Sequence, residues 1–363
     1  MKLNELKLEL TQQCPLACMH CSTESHRQKS SALSEQTILR LLREAAQLGA
    51  KKVAFSGGEP LLVPFLPNLI SQAATVGIQS TVYTCGAADF ELTPLSVPSA
   101  MKLGKSGLRR LIFSIYSADP DMHNSITKYR SFSTTVLALQ NALEAGVSAE
   151  IHFVAMNRNF RDLLALVDEA ARWGVKRVSV LRFVPHGRGK SIAEQEDLTV
   201  DEMHELGELI LVARQTHTQV EVRAGSPYNI LGIGHTPCDA AQDVLVVNHR
   251  GEIFPCDAFK NVSVPDQEFG SVLSRSLREV WEQSKYLNLV RSELAAGPGV
   301  TCGSCEEFSG CKSGCLAQKV IRDGWGTSAD PDPACLVQIA GVQSVNSTFP
   351  LRQAPQLAGA QSH

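Results

Sequence analysis

The sequence contains no apolar run of the ~18 residues that a membrane-spanning helix needs. Its start, Met1-Lys2-Leu3-Asn4-Glu5-Leu6, lacks the apolar core of a secretory signal. There is no surplus of basic charge either: 34 Lys and Arg stand against 37 Asp and Glu, a formal net charge of −3. These absences speak against a membrane and against a nucleic-acid partner, and they predict a cytoplasmic protein. No internal repeat is present. The chain is 363 residues long and 44% hydrophobic, which supplies a core and excludes wholesale disorder. That length predicts two domains.

Cysteine is missing between residues 86 and 237 and concentrated on either side. The 11 cysteines fall at 14, 18 and 21, then alone at 85, then at 238, 256, 302, 305, 311, 315 and 335. An odd total in a reducing compartment argues against a disulfide framework. Clustered thiols without oxidation point to metal.

The first two-thirds alternate strand-like and helix-like segments. Strand candidates are 6–10, 52–56, 80–84, 110–115, 149–155 and 177–183, each short and apolar enough for a buried parallel strand. Helical patterns follow from Ser34, a predicted N-cap, and over 65–74, 132–144 and 161–173. Gly146 and Gly174 suit the left-handed residue that closes the last two. Six βα units in a row predict an α/β fold, a parallel sheet closed only in part, as a (β/α)6 barrel. One more helix, 200–216, precedes linker-like stretches at 224–227 and 232–234. The expected division is a barrel over 1–225, a cysteine-rich domain over 226–340 and a flexible tail over 341–363.

Directly after the first strand come Cys14, Cys18 and Cys21, spaced C-x3-C-x2-C. Three thiolates on one loop reach three corners of a cubane and leave the fourth iron open. Zinc prefers four closed ligands in CxxC pairs, so the pattern fits an iron–sulfur cluster. The second strand ends in Gly57-Gly58-Glu59-Pro60, where two glycines allow close approach of backbone to a ligand. Taken alone, that tetrapeptide reads as an ordinary strand-to-helix turn.

Together the two motifs resemble the radical S-adenosylmethionine (SAM) superfamily, with His20 at the aromatic position of its cysteine loop. The resemblance implies a partial (β/α)6 barrel in which Cys14, Cys18 and Cys21 hold a [4Fe-4S] cluster whose open iron chelates SAM. Gly57, Gly58, Glu59 and Pro60 then line the methionine side of SAM. The implied chemistry is reductive cleavage of SAM to a 5′-deoxyadenosyl radical, which abstracts hydrogen from substrate. Ser114 matches the family's ribose contact, with a small core residue as the alternative. The family's carboxylate-binding arginine is absent after His123-Asn124, and Lys128, Arg130 or Arg182 are the replacements considered. Asn157 is a further cofactor contact by the same analogy. Cys85 reads as a small buried residue in a tight turn.

The later cysteines read Cys238-x12-Gly251-x4-Cys256, then Cys302-x2-Cys305-x5-Cys311-x3-Cys315, then Cys335. Two apolar stretches flank Asn248-His249-Arg250-Gly251, the pattern of a hairpin. A lone CxxC would leave a zinc ribbon open, but this arrangement resembles the SPASM domain. That likeness implies two auxiliary [4Fe-4S] clusters, one on Cys238, Cys256 and Cys315, the other on Cys302, Cys305, Cys311 and Cys335. The expected cofactors are therefore three [4Fe-4S] clusters and SAM. Seven thiols serve eight auxiliary iron sites, so the first cluster has one site without a cysteine. Asp239 and Asp243 lie in the right stretch. The segment Arg182 to Lys190 leaves the sixth strand glycine-rich and cationic, fit to grip an anion or to stand as a solvated loop.

The family's largest group matures ribosomally made peptides. The expected function is a peptide maturase, foremost for oxidative cross-linking of side chains through a C–C bond, as in a cyclophane, or a thioether. Epimerisation or backbone excision of a peptide, tetrapyrrole side-chain oxidation and sulfatase-type activation are the alternatives. The barrel starts almost at Met1, leaving no room for a winged-helix module before it, so either a separate leader-binding protein or direct contact with a short precursor is expected. A flavodoxin- or ferredoxin-type reductant completes the expected partners.

Overall fold

The computed structural model describes residues 2–234, 236–260, 262, 264 and 270–335. The tail expected over 341–363 lies outside them. The barrel elements run β1 (Glu5–Thr11), α1 (Glu35–Gln47), β2 (Lys52–Gly57), α2 (Leu66–Thr75), β3 (Gln79–Thr84), α3 (Val97–Lys105), β4 (Leu108–Ser114), α4 (Pro120–Thr127), α5 (Phe132–Glu144), β5 (Ser148–Ala155), α6 (Leu163–Arg172) and β6 (Arg177–Arg182). After them come α7 (Ala193–Glu196), α8 (Val200–Thr216), β7 (Glu221–Ala224), β8 (Val244–Val247), β9 (Ile253–Phe254), α9 (Leu277–Gln283), α10 (Lys285–Ala295), α11 (Val300–Gly303), α12 (Phe308–Cys311) and α13 (Leu316–Asp323).

The six expected strands form, each within two residues of its sequence reading. Ser34 caps α1, its side chain accepting from the Thr37 N–H at 3.2 Å. Gly146 and Gly174 take positive φ behind α5 and α6. Leu6, Leu8 and Leu10 of β1 are buried on the same side as Phe113 of β4 and Phe153 of β5, where the helices cover them. Their neighbours alternate to the concave side.

One sheet of nine strands runs β7-β6-β5-β4-β3-β2-β1-β8-β9 and does not close. Two features depart from expectation. Just before the stretch expected as linker, and taking in its first residue Ala224, stands a seventh parallel strand, β7, paired to β6 from Arg177↔Glu221 to Val180↔Ala224. Four residues, with only Val222 and Ala224 buried, carry too little periodicity to be seen in the sequence. The cysteine-rich segment also builds no sheet of its own. Its hairpin β8–β9 forms as expected (Val246↔Phe254, Val247↔Ile253), but β8 adds in parallel to the free side of β1. Helix α9 opens with a Ser276–Glu279 capping box, and its Leu277 N–H donates to Glu44 of α1 at 2.7 Å. Barrel and cysteine-rich segment thus share both a sheet and a helix layer.

Candidate active site and cluster sites

Cys14, Cys18 and Cys21 lie on the loop leaving β1, all free thiols and all partly accessible. The loop is pinned from two directions. The Ala17 and Met19 N–H groups donate to the Thr127 and Ile126 carbonyls at the end of α4 (3.2 and 2.9 Å). Arg188, in the cationic stretch after β6, donates through Nε to the Cys18 carbonyl and through Nη2 to the Ser25 carbonyl, both at 2.9 Å. Its backbone N–H reaches the Cys21 carbonyl at 3.1 Å. Of the two readings of this stretch, neither a solvated loop nor an anion grip describes Arg188: it braces the cysteine loop. The sequence signal was present in Gly187-Arg188-Gly189, but its target lies about 170 residues earlier in the chain.

Burial, then the Cys14 and Cys21 thiols, push the Cys18 pKa well up. No three Cys, His, Asp or Glu side chains among the described residues are placed to hold a single ion. A tetrahedral ion would draw its sulfurs to roughly 3.8 Å from one another. Three thiols on one loop with no fourth in it are the donor set for three corners of a [4Fe-4S] cluster.

Gly57 and Gly58 bring the end of β2 against that loop. The Gly58 N–H donates to the Thr11 carbonyl at 2.6 Å and the Glu59 N–H to the Gln13 carbonyl at 2.7 Å. A Cβ on Gly58 would stand 1.9 Å from the Gln13 carbonyl oxygen, and Gly57 has φ +117°. Pro60 is buried and opens a short 3-10 turn. Glu59 is 1% exposed. Its carboxylate accepts from Leu61 N–H (3.0 Å), Thr84 Oγ1 (2.7 Å) and Cys85 N–H (2.7 Å). Burial raises its pKa, against those hydrogen bonds. Glu59 therefore ties the end of β2 to the end of β3.

Ser114 ends β4, in hydrogen-bond contact with the Tyr116 side chain. Around Tyr116 stands an aromatic wall: His20 meets it edge-on at 4.6 Å between centroids, and His123 stacks on it at 5.7 Å. His123 is fully buried, with Nδ1 accepting from the Tyr116 N–H (3.3 Å) and Nε2 against Ser131 Oγ (3.2 Å). Burial lowers its pKa to about 4.

The other expected SAM contacts are placed less directly. Lys128 is exposed, in left-handed conformation at the C-cap of α4. Asn157 donates its amide to Glu202 at 2.7 Å, leaving its carbonyl oxygen for any ligand. Arg182 is committed elsewhere: its guanidinium pairs with buried Asp332 at 2.9 Å. Cys85 is buried in a tight turn, as expected, and also packs with Cys14 and Cys18. No sequence spacing could show that contact.

The later thiols separate into two groups. Burial, then Cys238 and Cys315, raise the Cys256 pKa well above the ordinary value, and Cys238 is pushed up to about 12 by burial and Cys315. Cys311 is pushed up to about 11 by burial, with Cys335 and Cys302 contributing. The Cys305 N–H donates to the Cys302 carbonyl at 3.1 Å. Asp239 and Asp243 are exposed.

A charge network that sequence reading missed joins the two regions. Lys260 Nζ lies 2.6 Å from Glu9 of β1 and 2.7 Å from Asp257, and Lys7 of β1 lies 2.8 Å from the other Asp257 oxygen. Burial would raise the Asp257 pKa, but the two lysines hold it well below the ordinary range. Asp257 directly follows Cys256, so the network connects the concave face of β1 to the cysteine-rich segment. Tyr83 and His152 share that face, 4.9 Å apart.

The fold and the cysteine loop beside the GGEP turn are those expected of a radical SAM protein with an added iron–sulfur domain. Residues 8–170 match the radical SAM superfamily model, and residues 238–306 match SPASM, an iron–sulfur cluster-binding domain. The chain is a radical SAM protein with a SPASM domain, and iron–sulfur clusters and SAM are its cofactors. Among curated relatives it is 27% identical over 350 residues to the PqqA peptide cyclase of Xanthomonas oryzae pv. oryzae, covering 90% of this chain and 86% of that one. It is also 27% identical over 342 residues to the mycofactocin maturase MftC of Mycolicibacterium smegmatis, covering 91% and 82%. Among solved structures, SuiB of Streptococcus suis bound to its precursor peptide SuiA superposes with a TM-score of 0.74 at 19% identity, covering 92% and 76%. That likeness shows the shared fold. No helix among the described residues is long and apolar enough to cross a membrane.

Proposed function

We propose that this chain is a radical SAM/SPASM maturase that cross-links side chains of a ribosomally made precursor peptide, through a C–C or thioether bond. The observation that carries the reading is the loop of Cys14, Cys18 and Cys21 held against the GGEP turn, where the Gly58 and Glu59 N–H groups donate to the Thr11 and Gln13 carbonyls. The relative named as the PqqA peptide cyclase, and SuiB in complex with a precursor peptide, support a peptide substrate. We take 1–225 as the radical SAM core and 226–340 as the auxiliary-cluster domain.

Cys14, Cys18 and Cys21 hold the SAM-binding [4Fe-4S] cluster in this reading. Cys238, Cys256 and Cys315 hold the first auxiliary cluster, and Cys302, Cys305, Cys311 and Cys335 the second. When bound, the first cluster and SAM supply a 5′-deoxyadenosyl radical. The chain's part is to place and shield them. Gly57, Gly58 and Pro60 shape the methionine side, and Glu59 fixes that turn through its three hydrogen bonds. Ser114 and the Asn157 carbonyl remain the sugar-side contacts, with Lys128 at the rim. The His20–Tyr116–His123 wall keeps water from the cysteine loop, with His123 neutral at working pH. Lys7, Tyr83 and His152 face the concavity where substrate enters. A flavodoxin- or ferredoxin-type reductant, a separate leader-binding protein and a cytoplasmic setting complete the reading. The free thiols suit that reducing compartment.

The test is anaerobic reaction of reconstituted protein and SAM with the precursor peptide encoded beside its gene. A product lighter by two mass units, with a new cross-link in its fragment spectrum, is expected. An unchanged mass with deuterium gained from solvent would mean epimerisation and overturn the cross-linking claim.

A further inference from the structure

We propose that Arg182 and Asp332 form a latch that positions one ligand of each auxiliary cluster, and that the Arg182 charge raises the reduction potential of the cluster on Cys238, Cys256 and Cys315. The inference rests on the three-cluster reading and adds residues outside it.

Arg182 ends β6 with its side chain 6% exposed, and the Asp332 side chain is fully buried. Arg182 Nη1 donates to both Asp332 oxygens at 2.9 Å. The same carboxylate accepts the Cys315 N–H through Oδ2 and the Ala334 N–H through Oδ1, each at 2.9 Å. The Asp332 carbonyl accepts the Cys335 N–H at 2.9 Å. One aspartate thus holds Cys315, a ligand of the first auxiliary cluster, and Cys335, a ligand of the second. Gly314 makes this approach available: a Cβ there would meet the Asp332 Cβ at 2.4 Å, and its φ is +76°. Both Asp332 oxygens are occupied, so Asp332 is not the missing eighth ligand.

The arginine does more than hold the aspartate. Its Nε is buried without a hydrogen-bond partner, an unusual cost for a guanidinium. The Cys315 sulfur lies within range of its charge. A cation beside a cluster favours the reduced, more negative state, and an N–H directed at cluster sulfur does the same. Arg182 is therefore a positioning and potential-setting residue for the auxiliary clusters, not a SAM contact.

The test uses the full chain carrying Cys14→Ala, Cys18→Ala and Cys21→Ala, which leaves only the auxiliary clusters. About eight irons are expected in that background, two clusters of four. Fewer would overturn the three-cluster reading and the latch with it. Adding Arg182→Met is expected to move an auxiliary midpoint potential to more negative values in a redox titration followed by electron paramagnetic resonance. Arg182→Lys, which keeps the charge but loses the planar fork, should move it less. With all cysteines present, SAM affinity of the Arg182→Met protein should be unchanged. Unaltered auxiliary potentials, with SAM binding weakened instead, would overturn the latch. Should the Arg182→Met variant fail to fold, Arg182→Gln removes the charge and keeps an amide donor for Asp332. A negative shift there upholds the proposal, and an unmoved potential overturns it.

Discussion

At the residue scale, the cysteines were legible because their chemistry is local. Three thiols within eight residues declare a cluster before any fold is known. Glu59 was legible by position but not by task. Its motif marks it for a ligand, whereas its carboxylate spans from β2 to the Thr84–Cys85 end of β3. Glu59→Ala leaves those buried donors unpaired and should cost about 3 kcal/mol, read as a lower urea midpoint. Glu59→Gln should cost less, since its carbonyl oxygen can keep part of the set. His123 gives a pH prediction. Its folded pKa is about 4 against the ordinary 6.5. Between those values the unfolded chain binds a proton that the folded one refuses, so its contribution is complete above pH 6.5 and is lost as pH falls toward 4. Urea midpoints should drop across that window, and His123→Gln should shrink the drop. Equal slopes in both proteins would contradict the burial argument.

At the element scale, alternating strands and helices were readable because each βα unit buries a short apolar strand beneath an amphipathic helix. β7 escaped, since two buried residues make no pattern. The addition of β8 to β1 escaped too: strand pairing between residues about 240 positions apart leaves no trace in either segment. Arg188 belongs to the same class, recognisable as a cation but not as the brace of a distant loop. Gly58 shows the opposite case, where a local motif has a geometric reason. Gly58→Ala puts a methyl into the Gln13 carbonyl and must push β2 from the cysteine loop. We expect near-native circular dichroism but iron reduced from about twelve to about eight per chain, the loss of one four-iron cluster. Full iron content in that variant would show that the close approach does not matter.

At the scale of the whole molecule, barrel and SPASM region are joined by shared hydrogen bonds and charge. The sheet runs from β7 through β1 into β9, and Lys260 links Glu9 on β1 with Asp257 beside Cys256. Lys260→Met strands the carboxylate of Glu9, 2% exposed in its side chain, and should destabilise the protein by about 3–5 kcal/mol. Adding Glu9→Gln should recover part of that loss, which a thermal melt of single and double variants will show. Such a network needs side chains from two segments 250 residues apart, so no sequence window could contain it. The domain boundary read near 225 marks a change in composition rather than a break in the structure, because β8 returns to the first strand of the barrel.

The central claim is that the cysteines build three clusters, one of which works with SAM. Its most direct test is anaerobic reconstitution of the full chain with iron and sulfide, followed by iron analysis and assay for 5′-deoxyadenosine after adding dithionite and SAM. The account predicts about twelve irons per chain, three clusters of four, and 5′-deoxyadenosine that disappears with Cys18→Ala. About four irons, or no 5′-deoxyadenosine from the fully loaded protein, would contradict it.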